Sequence, residues 1–268
     1  MIVSGRKLAK EIEESIAGEV REALKPPLLG IVQVGENPVS ENFIRMKREF
    51  AQRVGIGVRV ARLPADVPLA DVQSAIRECA RASDGLIVQL PLPENLDTET
   101  VLAAIPQEKD VDALCSPPAG GHLILSPVVE AIKHVFTAHG VTLKNKRVLV
   151  IGRGRLVGAP IAEWLSGNGT TVDVIGDEVE DLVPYARAAG IIISGAGSPH
   201  LIKSSMLKEG VVLIDCGASE AGGKVLGDAD PACAEKCSVF TPVPGGIGPL
   251  TVTMLFKNLL TLHSRAKK

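Results

Sequence analysis

Three polar residues that lie far apart in the sequence have side chains suited to a reactive centre. Lys47 falls in a segment, residues 40–53, whose apolar spacing predicts a helix. Gln89 lies near the end of an apolar run, residues 85–90, that predicts a buried strand. A lysine removed from water loses its proton more readily, and the neutral amine can then activate water or accept a proton. An uncharged glutamine can orient that amine, and a carboxylate such as Asp112 can accept two hydrogen bonds from one ligand edge.

Each of these residues alone also fits an ordinary position. Lysines on helices are mostly solvated, a glutamine can cap a loop, and an aspartate is a common turn residue. The prediction of a reactive centre therefore depends on Lys47, Gln89 and Asp112 occurring together and in this order.

A glycine-rich turn follows a predicted strand in the second half of the chain. The strand Arg147–Ile151 leads directly into Gly152, Gly154 and Gly158, and a helix is predicted from Pro160. Glycines permit a tight turn and a close approach of backbone N–H groups to a pyrophosphate, which the amino terminus of a helix also favours. The spacing is one residue longer than the common dinucleotide fingerprint. The strand before the turn and the helix after it nevertheless favour dinucleotide binding over an ordinary turn.

The residues around this turn leave the choice of dinucleotide open. Asp177 follows the next predicted strand, where an acid can bind the adenosine ribose hydroxyls and favour NAD. Arg153 and Arg155 stand in the turn itself, where guanidinium groups could hold the 2′-phosphate of NADP or remain solvated.

The periods of helices and strands alternate along both halves of the chain. The first half has predicted helices at Lys7–Leu24, Ser40–Arg53 and Leu69–Arg81 and predicted strands at Leu28–Val34, Gly57–Leu63 and Gly85–Leu90. The second half has predicted helices at Pro127–Thr137, Pro160–Ser166 and Leu250–Leu262 and predicted strands at Arg147–Ile151, Thr171–Ile175, Gly190–Ser194 and Val211–Asp215. Helix-length connections between strands make parallel sheets the expected arrangement. Such sheets bind ligands at the carboxyl ends of their strands.

The fold class that this order predicts is α/β, with two α/β domains and a cleft between them. A stretch rich in proline, glycine and polar residues, Asp97–Leu125, marks the junction. We expect one domain to comprise residues 1–125 plus 250–268 and to hold the lysine. The other, residues 126–249, is expected to be a Rossmann-like doubly wound parallel sheet that binds the dinucleotide.

The composition narrows the classes of partner. The 29 basic and 31 acidic residues leave a net charge of -2, which argues against nucleic acid or an anionic membrane as partner. We find no apolar run of the length of a membrane span and no signal-peptide pattern. The five cysteines include no Cys-x-x-Cys pair, so neither a disulfide framework nor a metal site is predicted and a cytoplasmic location is expected.

Three segments carry a resemblance to a known family. They are Phe43-Ile44-Arg45-Met46-Lys47, Gly85-Leu86-Ile87-Val88-Gln89-Leu90-Pro91-Leu92-Pro93 and Thr241-Pro242-Val243-Pro244-Gly245-Gly246-Ile247-Gly248-Pro249-Leu250-Thr251. Together with the glycine turn they closely resemble the bifunctional methylenetetrahydrofolate dehydrogenase/methenyltetrahydrofolate cyclohydrolase family, the FolD family. The resemblance runs from Ser4 nearly to the carboxyl terminus. It implies oxidation of 5,10-methylenetetrahydrofolate with NADP or NAD, followed by hydrolysis to 10-formyltetrahydrofolate.

The resemblance also implies roles for particular residues. Lys47 matches the catalytic lysine, Gln89 the glutamine that supports it, and Asp112 the aspartate that binds the pterin. The residues expected to bind the folate substrate are Phe43, Leu90, Pro91, Gly245, Gly246 and Pro249. The residues expected to bind the coenzyme are Gly152, Arg153, Gly154, Arg155, Gly158, Asp177 and Ala218. The expected partners are tetrahydrofolate derivatives and a second copy of the chain in a homodimer.

Several positions depart from the family pattern. Phe43 stands where tyrosine is usual, so the ring remains for stacking while a hydroxyl near Lys47 is lost. Ala113 replaces a glycine, and the stretch Leu114–Ser126 is shortened. Other departures are Gly154 for serine, Gly176-Asp177 for a His-Ser pair and Ala218 for isoleucine.

Two alternatives to the bifunctional enzyme remain open, and the departures motivate the first of them. One is a dehydrogenase with weak or lost cyclohydrolase activity, because the lysine lacks its usual hydroxyl neighbour. The other is a protein that binds folate or dinucleotide without catalysis, although the joint presence of Lys47, Gln89 and Asp112 argues against it.

Overall fold

The computed structural model describes residues 1–115 and 123–265, and the chain divides into two compact units. One comprises Lys10–Pro127 and Val252–Lys268 and is called the lysine unit here because it contains Lys47. The other comprises Met1–Ala9 and Val128–Thr251 and is called the glycine-turn unit. Within the described ranges, no helix is long and apolar enough to cross a membrane.

The sequence prediction placed the first nine residues in the same domain as Lys47, and the structure does not. In the structure they group with the glycine-turn unit, because the amino-terminal backbone joins a strand there. The Val3 amide donates to the Phe240 carbonyl at 2.8 Å, and the Phe240 amide donates to the Met1 carbonyl at 2.9 Å. Backbone groups of a chain terminus and a strand edge thereby satisfy each other.

The lysine unit is built on a small parallel sheet. Its elements are most of α1 (Gly5–Glu22), β1 (Leu28–Val34), α2 (Pro38–Val54), β2 (Gly57–Leu63), α3 (Leu69–Ala82), β3 (Gly85–Val88), α4 (Thr98–Leu102) and the later part of α8 (Ile247–Arg265). The strand order is β2-β1-β3, and both strand pairs are parallel. The carboxyl ends of β1 and β3 therefore lie side by side at the same end of the sheet.

Apolar side chains hold this sheet between helices. Every residue of β3 is buried, and so is every residue of β1 after its first. One face of α3 buries Val72 and Ile76. The rings of Phe50 on α2 and Phe256 on α8 stack with their centroids 4.8 Å apart. Burial of strands on both faces explains their nearly continuous apolar sequences.

The glycine-turn unit contains a larger parallel sheet. Its further elements are α5 (Pro127–Ala138, apart from its first residue), β4 (Arg147–Ile151), α6 (Gly158–Gly167), β5 (Thr171–Ile175), α7 (Val183–Ala188), β6 (Ile191–Ser194), β7 (Val211–Asp215), β8 (Ser219–Ala221), β9 (Lys224–Leu226) and β10 (Cys237–Thr241). The order β10-β7-β6-β4-β5 is parallel throughout, and β8 and β9 form an antiparallel hairpin. The direction of winding reverses between β4 and β6, which is where doubly wound sheets bind ligands.

Several element boundaries differ from the sequence prediction. β3 ends at Val88, ahead of the Leu90–Pro91 bond, which is cis. α8 begins at Ile247, three residues before the predicted start, because a proline such as Pro249 is tolerated in the first turn of a helix. The shortened stretch Leu114–Ser126 lies outside the described residues at positions 116–122.

Candidate functional site

Lys47 and Gln89 form a direct hydrogen bond at the edge of the sheet in the lysine unit. The Lys47 Nζ on α2 donates to Gln89 Oε1 at 2.9 Å. The Gln89 Nε2 donates to the Leu90 carbonyl at 2.7 Å, and its backbone amide donates to the Val32 carbonyl at 2.8 Å. Because the Nε2 group is bound to a carbonyl, the Oε1 atom is the one directed at the amine. Gln89 is buried, so its amide holds Lys47 in one orientation.

The charge state of Lys47 is set by two opposed effects. Burial lowers the pKa of the amine, and the nearby carboxylate of Asp112 raises it, with burial the larger effect. Burial also raises the pKa of Asp112 to about 6, against the opposing effect of Lys47. The structure therefore brings together Lys47, Gln89 and Asp112, the three residues that the sequence selected.

Asp110, which the sequence analysis did not select, shapes the turn that carries Asp112. The buried Asp110 carboxylate accepts hydrogen bonds from the backbone amides of Asp112 at 3.2 Å, Leu114 at 2.7 Å and Cys115 at 2.6 Å. Ala113 lies inside this turn with a φ of 55°, in the left-handed region that favours glycine. The Asp-Val-Asp spacing was the available sequence signal, because an aspartate often bonds the backbone two residues further on.

Phe43 lies one helical turn before Lys47. Its ring centroid is 6.0 Å from Lys47 Nζ, and the side chain is 41% exposed. An exposed ring next to the amine offers a flat surface for stacking and no hydroxyl for hydrogen bonding. Ser40, a further residue that the sequence analysis missed, is buried and donates from Oγ to the Leu90 carbonyl at 3.4 Å. Pro91 follows Leu90 directly. Both predicted substrate residues therefore lie at the Leu90 carbonyl that accepts hydrogen bonds from Gln89 and Ser40.

The glycine turn of the glycine-turn unit leaves room for a ligand to approach the protein backbone. Gly152 follows β4 with a φ of 96°, and a Cβ there would lie 2.6 Å from the Gly195 carbonyl oxygen. A Cβ at Gly158 would overlap the Gly152 carbonyl oxygen, so both positions require glycine. Gly154 has nothing within 4 Å of its Cβ position. This narrow turn at the start of α6 fits the pyrophosphate of a dinucleotide.

Arg153 within the turn forms an ion pair with Glu178, which lies after β5. Arg153 Nη2 lies 2.8 Å from Glu178 Oε1, and Glu178 was not selected from the sequence. Asp177, Arg155 and Ala218 are the remaining predicted coenzyme residues of this unit: Asp177 and Ala218 are exposed, and Arg155 is half-buried.

A buried carboxylate holds the loop after β6. Asp228 is fully buried, and its Oδ2 accepts from Ser194 Oγ at 2.7 Å and from the Ala196 amide at 2.8 Å. Its Oδ1 accepts from the Ser198 amide at 2.8 Å. The loop lies at a strand carboxyl end beside the Gly152 turn. Asp228 therefore shapes the backbone next to the turn, a role without a local sequence signal.

A second buried carboxylate continues the same network. Asp215 ends β7, and its two oxygens accept from the amides of Gly217 at 2.9 Å, Asp228 at 3.1 Å and Ala229 at 2.9 Å. Burial raises its pKa to about 6, while the hydrogen bonds from the amides oppose this effect. Together the carboxylates fix the loops that follow β6 and β7.

The Pro-Gly loop before α8 belongs to the glycine-turn unit. The Gly246 amide donates to the Pro242 carbonyl at 2.7 Å, and Gly245 has a φ of 104°. Pro249 lies in the first turn of α8, and the Val243–Pro244 bond is cis. Gly5 packs against Gly246 so closely that a Cβ at Gly5 would overlap the Gly246 carbonyl oxygen. The loop geometry thus depends on the first residues of the chain.

Comparison with known proteins matches both parts of this arrangement. Residues 3–112 match the family described as tetrahydrofolate dehydrogenase/cyclohydrolase, catalytic domain. Residues 126–267 match the family described as tetrahydrofolate dehydrogenase/cyclohydrolase, NAD(P)-binding domain. Lys47, Gln89 and Asp112 fall in the first match, and the glycine turn falls in the second.

Individual relatives are similar over the whole chain. A bifunctional protein FolD of Aquifex aeolicus is 36% identical over an alignment 280 positions long, covering 99% of this chain and 96% of the relative. The crystal structure of the bifunctional FolD of Campylobacter jejuni has a TM-score of 0.93 at 29% identity and covers 99% of both chains. The FolD of Trypanosoma brucei, complexed with NADP and an inhibitor, has a TM-score of 0.91 at 31% identity, covering 100% of this chain and 98% of that one.

The fold and the matched domains define a class of protein, an α/β enzyme with a catalytic domain and an NAD(P)-binding Rossmann-like domain. Within that class, the chain belongs to the tetrahydrofolate dehydrogenase/cyclohydrolase family.

Proposed function

We propose that the protein oxidises 5,10-methylenetetrahydrofolate to 5,10-methenyltetrahydrofolate with NAD(P)+ and then hydrolyses the product to 10-formyltetrahydrofolate. The observation that carries this proposal is the Lys47–Gln89 hydrogen bond beside the carboxyl of Asp112. A surface lysine would keep its full charge in water, whereas this amine is partly removed from water and oriented by a buried amide.

In the oxidation, the protein mainly binds and aligns the two ligands. The NAD(P)+ coenzyme supplies the hydride acceptor when it is bound. Gly152 and Gly158 would allow its pyrophosphate to approach the backbone at the start of α6. Asp112 would accept hydrogen bonds from the pterin edge of the folate, and the ring of Phe43 would stack on the folate. Such alignment lowers the entropic part of the barrier.

In the hydrolysis, Lys47 takes part in proton transfer. Water adds to the methenyl carbon and loses a proton to the neutral amine of Lys47, and the amine returns a proton to the ring nitrogen as the carbon–nitrogen bond breaks. The second proton of the water leaves to solvent, so the hydrolysis releases one proton. Gln89 Oε1 accepts a hydrogen bond from the amine and so keeps its lone pair in a constant direction.

The remaining parts of the proposal concern residues, partners and location. We propose the folate-binding and coenzyme-binding residues selected from the sequence as the contacts of the two ligands. We further propose NADP or NAD as coenzyme, a homodimer as the assembly and the cytoplasm as location. The relative from Trypanosoma brucei, which was crystallised with NADP, supports the coenzyme. Free thiols at all five cysteines are compatible with a reducing compartment.

Steady-state turnover of both steps tests the proposal. The purified protein is given 5,10-methylenetetrahydrofolate with NAD+ or NADP+, and separately 5,10-methenyltetrahydrofolate without coenzyme. We expect coenzyme reduction in the first assay and loss of methenyl absorbance above the spontaneous rate in the second. Binding of folate without reduction of either coenzyme would refute catalysis.

Phe43 favours one second candidate function, a dehydrogenase with little cyclohydrolase activity. The ring beside Lys47 has no hydroxyl that could hydrogen-bond to the amine or to water. Under this alternative the first assay proceeds and the second stays at the spontaneous rate. The variant Phe43→Tyr separates the two cases, because it would raise hydrolysis only if the missing hydroxyl limits that step.

A further inference from the structure

The ion pair between Arg153 and Glu178 joins the ends of two neighbouring strands. Arg153 follows β4 within the glycine turn, and Glu178 lies three residues after β5. Glu178 Oε1 accepts from Arg153 Nη2 at 2.8 Å and from Arg153 Nε at 3.2 Å. A guanidinium that donates twice to one carboxylate is directed more firmly than a lysine would be.

Both partners have a second anchor on the backbone. Arg153 Nη2 also donates to the Val174 carbonyl at 2.7 Å, and Glu178 Oε1 also accepts from the Gly176 amide at 3.1 Å. A Cβ at Gly176 would lie 2.6 Å from Glu178 Oε2, so the pair lies directly over this glycine. The hydrogen bond from Arg153 lowers the pKa of Glu178, so the carboxylate stays charged to a lower pH than an ordinary glutamate does. Each side chain is therefore held by a backbone group as well as by its partner.

The position of the pair is where a Rossmann-like fold distinguishes its coenzymes. An acid after the strand that follows the glycine turn accepts from the ribose hydroxyls of NAD, whereas an arginine nearby binds the 2′-phosphate of NADP. Here both types of residue are present, and they bind each other. A 2′-phosphate must therefore share the Arg153 guanidinium with the Glu178 carboxylate or displace it, and it meets a like charge while the carboxylate stays.

We propose that Glu178 is a coenzyme-specificity residue, which weakens NADP binding by occupying the Arg153 guanidinium and leaves NAD binding largely unaffected. The inference rests on the proposed function, because it assigns the adenosine end of the same coenzyme site. It differs from the sequence prediction, which gave that role to Asp177. Asp177 is the adjacent exposed carboxylate, while the hydrogen bonds of Arg153 go to Glu178 and Val174.

The test measures coenzyme dissociation constants for the full-length protein by titration calorimetry with NADP+ and NAD+. In Glu178→Gln we expect roughly tenfold tighter NADP+ binding and a change of about twofold or less for NAD+. Glu180→Gln is the matched control, since it makes the same substitution at an exposed carboxylate two residues further along the chain. We expect it to change the NADP+ to NAD+ ratio by about twofold or less. Asp177→Asn is measured alongside, because the sequence prediction gave the role to Asp177.

A double-variant comparison isolates the competition for Arg153. In an Arg153→Met background, Glu178→Gln should tighten NADP+ binding much less than the roughly tenfold expected with Arg153 present, because only the like charge is removed and no guanidinium remains to be released. Circular dichroism melting checks that each variant folds, and Glu178→Ser provides a second way to release the arginine.

Each other result counts against the inference. An unchanged NADP+ to NAD+ ratio in both Glu178 variants overturns it, as does an equal gain in the Arg153→Met background. A larger change in Asp177→Asn than in Glu178→Gln returns the role to Asp177. If the wild-type protein binds neither coenzyme, the proposed function fails and the inference fails with it; if both coenzymes bind, only the inference is at stake.

Discussion

At the scale of single residues, the chemistry depends on whether Lys47 can be neutral near physiological pH. Burial lowers the pKa of its amine, and Asp112 opposes this shift. The hydrogen bond to Gln89 involves an uncharged acceptor, so it does not hold the proton as strongly as a second carboxylate would. The net effect of burial and Asp112 is therefore a lowered pKa of the Lys47 amine.

Substitution of Lys47 separates its proton transfer from its charge. We expect Lys47→Met and Lys47→Arg both to lower the cyclohydrolase rate by about 100-fold or more, since neither side chain can exchange a proton near neutral pH. Coenzyme binding should stay unchanged. Hydrolysis of the methenyl substrate, followed by absorbance, measures the loss. An arginine variant with wild-type hydrolysis would show that only positive charge is needed.

The raised pKa of Asp112 predicts that kcat/KM for the folate falls on the acidic side of its pH profile. The carboxyl of the free protein has a pKa of about 6, so it becomes protonated as the pH falls through that value. Protonation removes one acceptor for the pterin edge, so kcat/KM for the folate should fall below pH 6 instead of near the usual carboxyl pKa of 3.8. A pH profile of the dehydrogenase reaction measures this limb.

Asp112→Asn serves as the control for that profile. The amide has nearly the same shape and does not titrate, so activity should be lower at pH 7 and should lose the limb near pH 6. An acidic limb of the same position in the variant would assign the titration to another group.

At the scale of elements, the turn after Asp110 stores a local conformational strain. Ala113 has a φ of 55° there, a conformation that disfavours a side chain by about 1–2 kcal/mol, whereas glycine loses about 0.5–1 kcal/mol more backbone entropy on folding. We expect Ala113→Gly to raise the free energy of unfolding by up to about 1 kcal/mol.

Urea denaturation measures this change, and a helical alanine supplies the control. Ala17 lies in the interior of α1, so Ala17→Gly should lower the free energy of unfolding by about 1 kcal/mol. The two substitutions are chemically identical and should have opposite signs. Equal destabilisation by both would mean that the turn is not strained at Ala113.

The loop after β6 depends on the single carboxylate of Asp228. In Asp228→Asn the amide has only one acceptor oxygen, so at least one partly buried backbone N–H of the loop loses its partner. We expect the free energy of unfolding to fall by about 1–3 kcal/mol. Urea denaturation of this variant against Asp177→Asn, an exposed carboxylate of the same unit, measures the effect. A difference below about 0.5 kcal/mol would contradict the role.

The accuracy with which the sequence predicted each element depended on the element's length and burial. β1, β2, β4, β5 and β7 have the predicted bounds because each is a run of five or seven residues that ends at a clear turn or helix signal. The helices α4 and α7 were missed because five or six residues are too few to show a helical period. The strand β10 was also missed, although it has five residues as β4, β5 and β7 do. Their positions depend on tertiary contacts.

The same distinction applies to the site. Lys47, Gln89 and Asp112 could be selected because the segments that contain them resemble the motifs of the family, and their residue types fit the chemistry. Glu178 and Asp228 could not, because their partners include backbone groups and side chains that the sequence alone does not place nearby. Asp110 had a local signal in the Asp-Val-Asp spacing, which the sequence analysis did not use. Glu178 in particular is 25 residues from Arg153. The sequence identifies groups that react, whereas the structure is needed for groups that hold others in place.

At the scale of the whole molecule, neither unit is a continuous piece of chain. The chain passes between the units after Ala9 within α1, after Pro127 at the start of α5, and after Thr251 within α8. A fragment cut at any one of these points would lack part of a unit's core or a helix. The assignment of the coenzyme to the glycine turn and of the folate to the residues around Lys47 therefore has to be tested in the full-length protein.

Hydrogen exchange followed by mass spectrometry provides this last test. A ligand suppresses local opening of the segments that it contacts, by an amount that grows with its concentration over its dissociation constant. We expect NADP+ alone to slow exchange at residues 152–158 and 195–198 of the glycine-turn unit. A tetrahydrofolate analogue alone should slow exchange at residues 40–47 and 89–91 of the lysine unit. The variant Arg153→Met controls for the coenzyme and should shrink only the first of these changes. Slowing by NADP+ alone that is confined to residues 40–47 would contradict the assignment, because the glycine turn would then not be the pyrophosphate site.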